Sequence, residues 1–517
     1  MTENDYKSLC EACDKLLLES DTTVERIAIP WLNVIRPHPI FFKQYVPIFR
    51  QKHVLVSVAS RGVRYTVKNL RNLFSSVLRS RSLQSSKVPP LKPCDVLFIS
   101  HLVNVSQAEK EEDNYFGDMP MKLVQAGISV SIGLLNHTDD KRAAMDARWL
   151  DRTVPRVVLD MVISVSQEWA LLKRVITESV RLSSKLARSS SSLDRKVISF
   201  AAVEAFSDST LFALRIGIQV RNLVECTRAS VIIITAEGHS WERVAIHAAR
   251  EASPNISCIS YQHAALFRFQ HSLQRRLSPT FDPDIILTSG AVSKRILSEN
   301  IRDDRQQILK IGSSRWLNTN PSGAKPKNSY DRAICLVLPE GIISECRLLF
   351  EFSLRCARAR PLLKFIWRLH PSISRRELFR VLPELKNIPH NIVFSTSNLS
   401  DDIQSSAWAL YRGSTAIVQA VVGGVIPIYL KRADEIIIDP LFELSALRPE
   451  VSTPEEFENF ITEKTDFSSL KDQLIKYSKD VFTPLDVSVL KEIINYINPG
   501  CSSISVSCMK SNISKHL

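Results

Sequence analysis

Short, almost wholly apolar runs recur along this chain, and each is followed within a few residues by a stretch with helical spacing. Residues 95–100 (DVLFIS), 229–235 (ASVIIIT) and 333–338 (AICLVL) are of this kind. A run with no polar alternation has no solvent face, so it belongs in a parallel strand covered on both sides. Parallel neighbours require a crossover, and the helical stretches between the runs supply it. The feature restricts the chain to the α/β class.

The runs form two sets. Strands are predicted at 95–100, 128–134, 229–235, 256–261, 284–288 and 308–311, with a long helical region over 159–188 and 197–226. A Gly/Pro/Asn/Ser-rich stretch at 312–330 reads as a linker. Further strands are predicted at 333–338, 362–369, 391–394, 408–411 and 426–430, and helices at 454–463, 468–478 and 486–496 close the chain. The predicted organisation is a helical extension and linker at 1–93, a first α/β domain at 94–315, a second at 330–497, and a flexible tail at 498–517. Two such halves face each other across a cleft at their strand C-termini, which is where open α/β sheets bind ligands.

Composition narrows the function. No apolar run reaches the ~18 residues of a membrane-spanning helix, and the acidic-polar N-terminus has no signal-peptide core, so a cytoplasmic protein is expected. Ten scattered cysteines read as reduced thiols, and the lone Cys10-x-x-Cys13 as helix packing. The net charge is +13, with Ser/Arg-rich patches at 78–87 and 181–196. No nucleic-acid recognition motif accompanies them. They are expected to be solvated, or to touch the anionic inner face of the cytoplasmic membrane.

Common catalytic signatures are missing: no dinucleotide or P-loop glycine motif, no zinc-protease motif and no nucleophile elbow. Asp282-Pro283-Asp284 sits at a strand entrance, the wrong sheet edge for a site. In the second half, Arg368-Leu-His370-Pro371 ends a strand at the cleft, where a guanidinium and an imidazole can bind a donor phosphate. Gly413-Ser414-Thr415 opens a helix, whose free amides and two hydroxyls suit the same phosphate. The loop with Glu340 and Gly341 is placed to meet the nucleoside. In the first half, Glu237-Gly238-His239 follows a strand, and a carboxylate there can act as base or nucleophile at a sugar carbon. Gln262 and His263 at the next strand end, and the segment Asp113-Asn-Tyr-Phe-Gly117-Asp118 after the first strand, are expected on the acceptor side.

With these residues in view, the chain resembles GT-B-fold glycosyltransferases over roughly residues 94–495, that is, two Rossmann-like domains with a helical N-terminal extension and C-terminal helices. It is most similar to the bacterial surface-polysaccharide transferases that use CMP-activated Kdo or sialic acid. Their His-Pro and Ser-Ser/Thr motifs correspond to His370-Pro371 and Ser414-Thr415, and their acidic-Gly motif to Glu237-Gly238. Ala236 stands where sialyltransferases often carry a further acidic residue. Residues 237–266 also resemble a segment of uncharacterised surface-carbohydrate biosynthesis proteins. The resemblance implies transfer of a sugar, Kdo or a related acidic one, from a CMP donor to a glycan or lipid-linked acceptor. Such a step belongs to lipopolysaccharide, O-antigen or capsule synthesis and needs no metal or other cofactor. Glu237 and His239 would be catalytic, and Arg368, His370, Pro371, Gly413, Ser414, Thr415, Glu340 and Gly341 would hold the donor nucleotide. Other readings remain open: a UDP- or GDP-sugar transferase, a polyol-phosphate transferase using a CDP donor, a UDP-sugar 2-epimerase, or a non-catalytic scaffold.

Overall fold

In the computed structural model, every strand pairing among the described residues is parallel. Those residues are 2–50, 60–62, 64, 65, 68, 91–138, 149, 150, 152–159, 163–189, 191–301, 306–316, 334–463 and 468–497. The basic patch at 78–87, most of the two predicted linkers and the tail at 498–517 lie outside them. The first sheet contains β1 (Val96–Leu102), β2 (Val130–Asn136), β3 (Arg156–Leu159), β4 (Val231–Thr235), β5 (Ser257–Gln262), β6 (Ile285–Thr288) and β7 (Gln307–Lys310), in the order β3-β2-β1-β4-β5-β6-β7. The second contains β8 (Ile334–Leu338), β9 (Lys364–Trp367), β10 (Ile392–Phe394), β11 (Trp408–Tyr411), β12 (Ile426–Leu430) and β13 (Glu450–Val451), in the order β10-β9-β8-β11-β12-β13. Every residue of β1, β4, β11 and β12 is buried, as continuous apolar runs require. This is the predicted two-sheet α/β arrangement.

The order reverses direction once in each sheet, between β1 and β4 and between β8 and β11. Adjacent loops leave the sheet on opposite faces there and open a crevice at the strand C-termini. The two crevices form the two walls of one cleft.

The structure departs from the sequence reading in three places. Residues 156–159 form β3, a strand the sequence reading did not place ahead of its helical region at 159–188, and three helices follow it: Val165–Lys185, Ser192–Glu204 and Asp208–Thr227. The N-terminal helices are part of the first core rather than an appendage. Trp31 stacks on Phe200 at 5.5 Å, and the fully buried Arg26 pairs with Glu178 at 2.7 Å and Glu19 at 2.6 Å. Cys10 and Cys13 lie in that core as free thiols, and burial pushes Cys10 up to about 12.

Third, the chain crosses back. Helix Ser468–Val481 packs on helices Ala416–Val422 and Ala291–Asn300, bridging the halves. Beyond it, the Thr483 amide donates to the Ser289 carbonyl at 3.0 Å and the Asp486 amide to the Ile311 carbonyl at 2.8 Å. Any side chain at Gly290 or Gly312 would collide with this returning backbone, and Gly312 also holds φ at +88°. The last helix, Ser488–Ile497, contributes Leu490 and Ile494 to the same buried cluster as Val96, Phe98 and Ile132 of the first sheet. The predicted second domain had included it.

Candidate functional site

Glu237 leaves the end of β4, at the first crevice, on a loop held by one carboxylate. Glu242, in the first turn of helix Ser240–Ala252, accepts the amides of Glu237 at 2.9 Å, Gly238 at 2.8 Å and His239 at 3.0 Å. A carboxylate receiving three amides at a positive helix end fixes the loop. Burial nevertheless pushes Glu242 up to about 7. Gly238 holds φ at +87°, and a Cβ there would overlap the Ser272 hydroxyl, so the acid-glycine pair has a structural reason for its second member.

Two imidazoles grip the Glu237 carboxylate. His263 Nε2 lies 2.8 Å from Oε1 and His239 Nε2 3.1 Å from Oε2. Burial alone would raise the Glu237 carboxyl, but the two imidazoles outweigh it and hold the group well below its usual range. Burial also opposes the charged form of His239, yet Glu237 wins and His239 is raised, while at His263 burial wins and the ring is lowered. The resulting assignment is an ionised Glu237, with His239 its more basic partner. Behind them His101 Nδ1 lies 2.8 Å from His137 Nε2, and burial pushes His101 down to about 3. Tyr115 packs edge-on to His263, with ring centroids 5.0 Å apart.

The opposite wall is built at the second crevice. His370 follows β9, and its Nδ1 lies 2.8 Å from the Ser372 hydroxyl. Gly341 packs so closely on this ring that a Cβ would sit 2.6 Å from Nδ1. Thr415 precedes helix Ala416–Val422 without a side-chain capping bond. Thr415 and Ser414 line the cleft together with Gly413, His370 and Pro371. The cleft encloses about 730 Å³, and Glu237 and His263 form its other side.

Some predicted residues do other work. Arg368 lines the cleft, but its Nη1 is held by Asp402 at 2.6 Å. Glu340 lines it too, paired with Arg36 at 2.8 Å and His38 at 3.3 Å. Against the effect of burial, the Arg36 guanidinium and the hydrogen bond from His38 hold Glu340 at about 2. Gln262 is 2% exposed and its Oε1 meets the Ser289 hydroxyl at 3.5 Å, so it faces the sheet rather than the cleft. Asp118 precedes helix Met119–Gln125 and pairs with Lys122 at 3.1 Å. Its neighbours Asn114 and Tyr115 reach the cleft instead. Asp282 and Asp284 secure the entrance of β6 through Arg243 and Arg250.

The sequence reading missed Arg36, Gln419 and Arg315, while Tyr115 lies in the segment 113–118 that it placed as an acceptor-side loop. Arg315 sits where a linker was predicted, and its carbonyl accepts the Gln419 amide at 3.0 Å. Arg315 lines the cleft and is electrostatically coupled to both Glu237 and His370. Among the described residues it meets no carboxylate at ion-pair distance. Burial lowers its pKa, partly offset by Tyr261, Glu237 and Tyr115. Together with burial, Arg315 also lowers His370. An arginine held in a cleft without a counterion is a ready anion site.

His38, Glu340 and Glu345 are the only described His, Cys, Asp or Glu side chains close enough to share a metal ion. Arg36 at 2.8 Å from Glu340 and Arg412 at 3.4 Å from Glu345 already balance both carboxylates.

No protein-family model and no curated protein matches this chain. Among solved structures it is similar to the glycotransferase of kitacinnamycin (TM-score 0.46, 12% identity, covering 79% of this chain and 99% of that one). It is also similar to MurG of Acinetobacter baumannii (0.43, 9%, 78% and 99%). A third match is UDP-GlcNAc 2-epimerase of Neisseria meningitidis bound to UDP-GlcNAc (0.42, 14%, 78% and 99%). Matches this remote leave the reaction to be argued from the residues of the cleft.

Proposed function

We propose that this chain is a nucleotide-sugar-dependent glycosyltransferase, and that its donor is a CMP-activated acidic sugar of the Kdo type. The observation that carries the reading is the meeting, in one cleft, of an ionised and oriented carboxylate with an anion-binding wall. Glu237 stands on one side, His370, Ser414 and Thr415 on the other, and Arg315 is electrostatically coupled to both.

In this reading the acceptor hydroxyl approaches Glu237, which takes its proton as the oxygen attacks the anomeric carbon. The bond from that carbon to the nucleotide phosphate breaks, and the phosphate oxygen keeps the electron pair. Arg315, the Ser414 and Thr415 hydroxyls and the first amides of helix Ala416–Val422 stabilise the developing charge, which is the service a metal gives elsewhere. His239 and His263 keep Glu237 ionised and aimed until the proton arrives. The acceptor is read as a glycan or a lipid-linked saccharide of a surface polysaccharide.

The test is a thermal-shift screen against CMP, CDP, UDP, GDP and ADP with and without Mg²⁺, followed by product analysis with the matching sugar donor. A ligand at 100 times its Kd stabilises by about 2.7 kcal/mol, a readable shift. The expected result is a metal-independent shift with CMP that is lost in His370→Ala, and turnover that falls at least ~100-fold in Glu237→Gln. A UDP or GDP preference would replace the donor. Isomerisation of a UDP-sugar without acceptor would replace the transferase, and full turnover by Glu237→Gln would remove Glu237 from the chemistry.

A further inference from the structure

The turn that carries Arg315 is tied down from several directions, and the tie nearest the cation comes from the donor side. The Tyr261 hydroxyl donates to the Gly312 carbonyl at 2.9 Å. The Ser313 amide donates to the Thr483 carbonyl at 2.9 Å, on the returning backbone. Ser314 packs on Gly117, where a Cβ would overlap its hydroxyl. These contacts hold residues 312–314 to the first half and to the backbone that returns to it. The carbonyl of Arg315 is held by the second half instead, where Gln419 Nε2 donates to it at 3.0 Å across 104 positions of sequence.

Gln419 lies four residues after Thr415, one turn along the same face of helix Ala416–Val422, and both residues line the cleft. That helix packs on helix Ser468–Val481, and Thr483, just beyond the second helix, is the residue that holds Ser313. The contacts close a ring from the turn through the donor-side helix and the returning helix back to the turn. Arg315 lines the same cleft, and its charge is felt at both Glu237 and His370. With no carboxylate at ion-pair distance among the described residues to fix the guanidinium, the reach of this cation is set by where its backbone is held.

We infer that Gln419 is a positioning residue for the donor phosphate: by holding the Arg315 carbonyl it fixes the cation's distance from Ser414 and Thr415, so that all three converge on one anion. The inference rests on the role proposed above for Arg315 as an anion site. A carbonyl accepts and cannot donate, so the amide of glutamine serves here where a carboxylate of the same length would be repelled. Because Thr415 and Gln419 share one helical turn, a shift of the second half carries the hydroxyls and the anchor of the cation together, and the geometry of the grip is kept.

The test is a double-mutant cycle on the full chain, with Gln419→Met, Arg315→Met and both together, read by calorimetry as the Kd for CMP and for UDP. Methionine keeps the length and helix propensity of glutamine and lacks the amide, so Gln419→Met should melt close to the wild type. It is expected to weaken the nucleotide that the wild type binds roughly 5-fold, one neutral hydrogen bond's worth. In the Arg315→Met background it should weaken binding no further, because the two residues act through one contact. A merely structural role would give the same loss in both backgrounds. If methionine disturbs the helix, Gln419→Leu is the second variant and should show the same dependence on Arg315. Unchanged affinity in the folded Gln419 variants, or an equal loss with and without Arg315, overturns the positioning role and leaves the anion site standing. Wild-type affinity in Arg315→Met, or a wild type that binds neither nucleotide, overturns the anion site and the inference with it.

Discussion

Two arginines line the same cleft with opposite electrostatic situations, and replacing each by methionine separates ligand binding from folding. Arg368 is paired. Its side chain is 25% exposed, that of Asp402 only 5%, and the contact is 2.6 Å. In Arg368→Met the Asp402 carboxylate stays buried, with the Ser395 hydroxyl at 2.5 Å as its remaining side-chain donor. Breaking a fully buried pair costs roughly 3–5 kcal/mol. A pair whose cation is a quarter exposed should cost about 2–3 kcal/mol. If the second half, about 150 residues, unfolds as a unit, that is a Tm drop of roughly 6–10 °C. Arg315 has no such partner among the described residues, so Arg315→Met removes a cation that burial already disfavours, and Tm should hold or rise slightly. Its loss should appear in the ligand instead. One charge-assisted hydrogen bond is worth about 1.5–3 kcal/mol, so the Kd for whichever nucleotide shifts the wild type should weaken roughly 10- to 150-fold. Differential scanning fluorimetry across a nucleotide titration reads both quantities at once. The reasoning is refuted if Arg315→Met melts as early as Arg368→Met, or if it binds nucleotide with wild-type affinity.

Three further outcomes follow. Gly238→Ala must hold φ near +87° and push against Ser272, so it should lose at least ~1–2 kcal/mol by denaturant melting, together with most turnover; wild-type turnover would show that the loop tolerates another shape. Glu340, held at about 2 against its ordinary 4.5, contributes stability that is present above pH 4.5 and lost as pH falls toward 2, on the order of 3 kcal/mol over that window. The stability gap between wild type and Glu340→Gln should shrink over the same range, and a constant gap would refute the coupling to Arg36 and His38. Leu490→Ala, at a fully buried position, should cost about 2–5 kcal/mol, and a neutral result in urea melts would mean that the last helix does not belong to the first core.

What the sequence disclosed follows from how far each signal reaches. β4 is legible because a strand buried on both faces has to be apolar throughout, and Glu237 is legible because it comes directly after that strand. β3 is not, since a four-residue edge strand that begins with Arg156 looks like the approach to the long helix behind it. Gln262 and Asp118 were misplaced because sitting near a strand's C-terminal end does not decide which way a side chain turns. Ser289 and Lys122 settle that question. Arg315 lies in a composition that reads as linker, and only the returning backbone at 481–486 and the contact with Gln419 place it in the cleft. Arg36 reaches Glu340 across 304 positions of sequence, beyond any local pattern.

The return of the last helix has a consequence for how the protein is made. The seventh strand of the first sheet ends at Lys310, yet Leu490 and Ile494, which complete one buried cluster of that sheet, emerge from the ribosome some 180 residues later. At about 5–20 residues per second, the nascent first half waits roughly 10–35 s with Val96, Phe98 and Ile132 incompletely covered. During that interval the growing chain presents a sticky surface, so slow translation of the second half, or a stop codon shortly before position 488, should send the product to chaperones and aggregates rather than to a shortened enzyme.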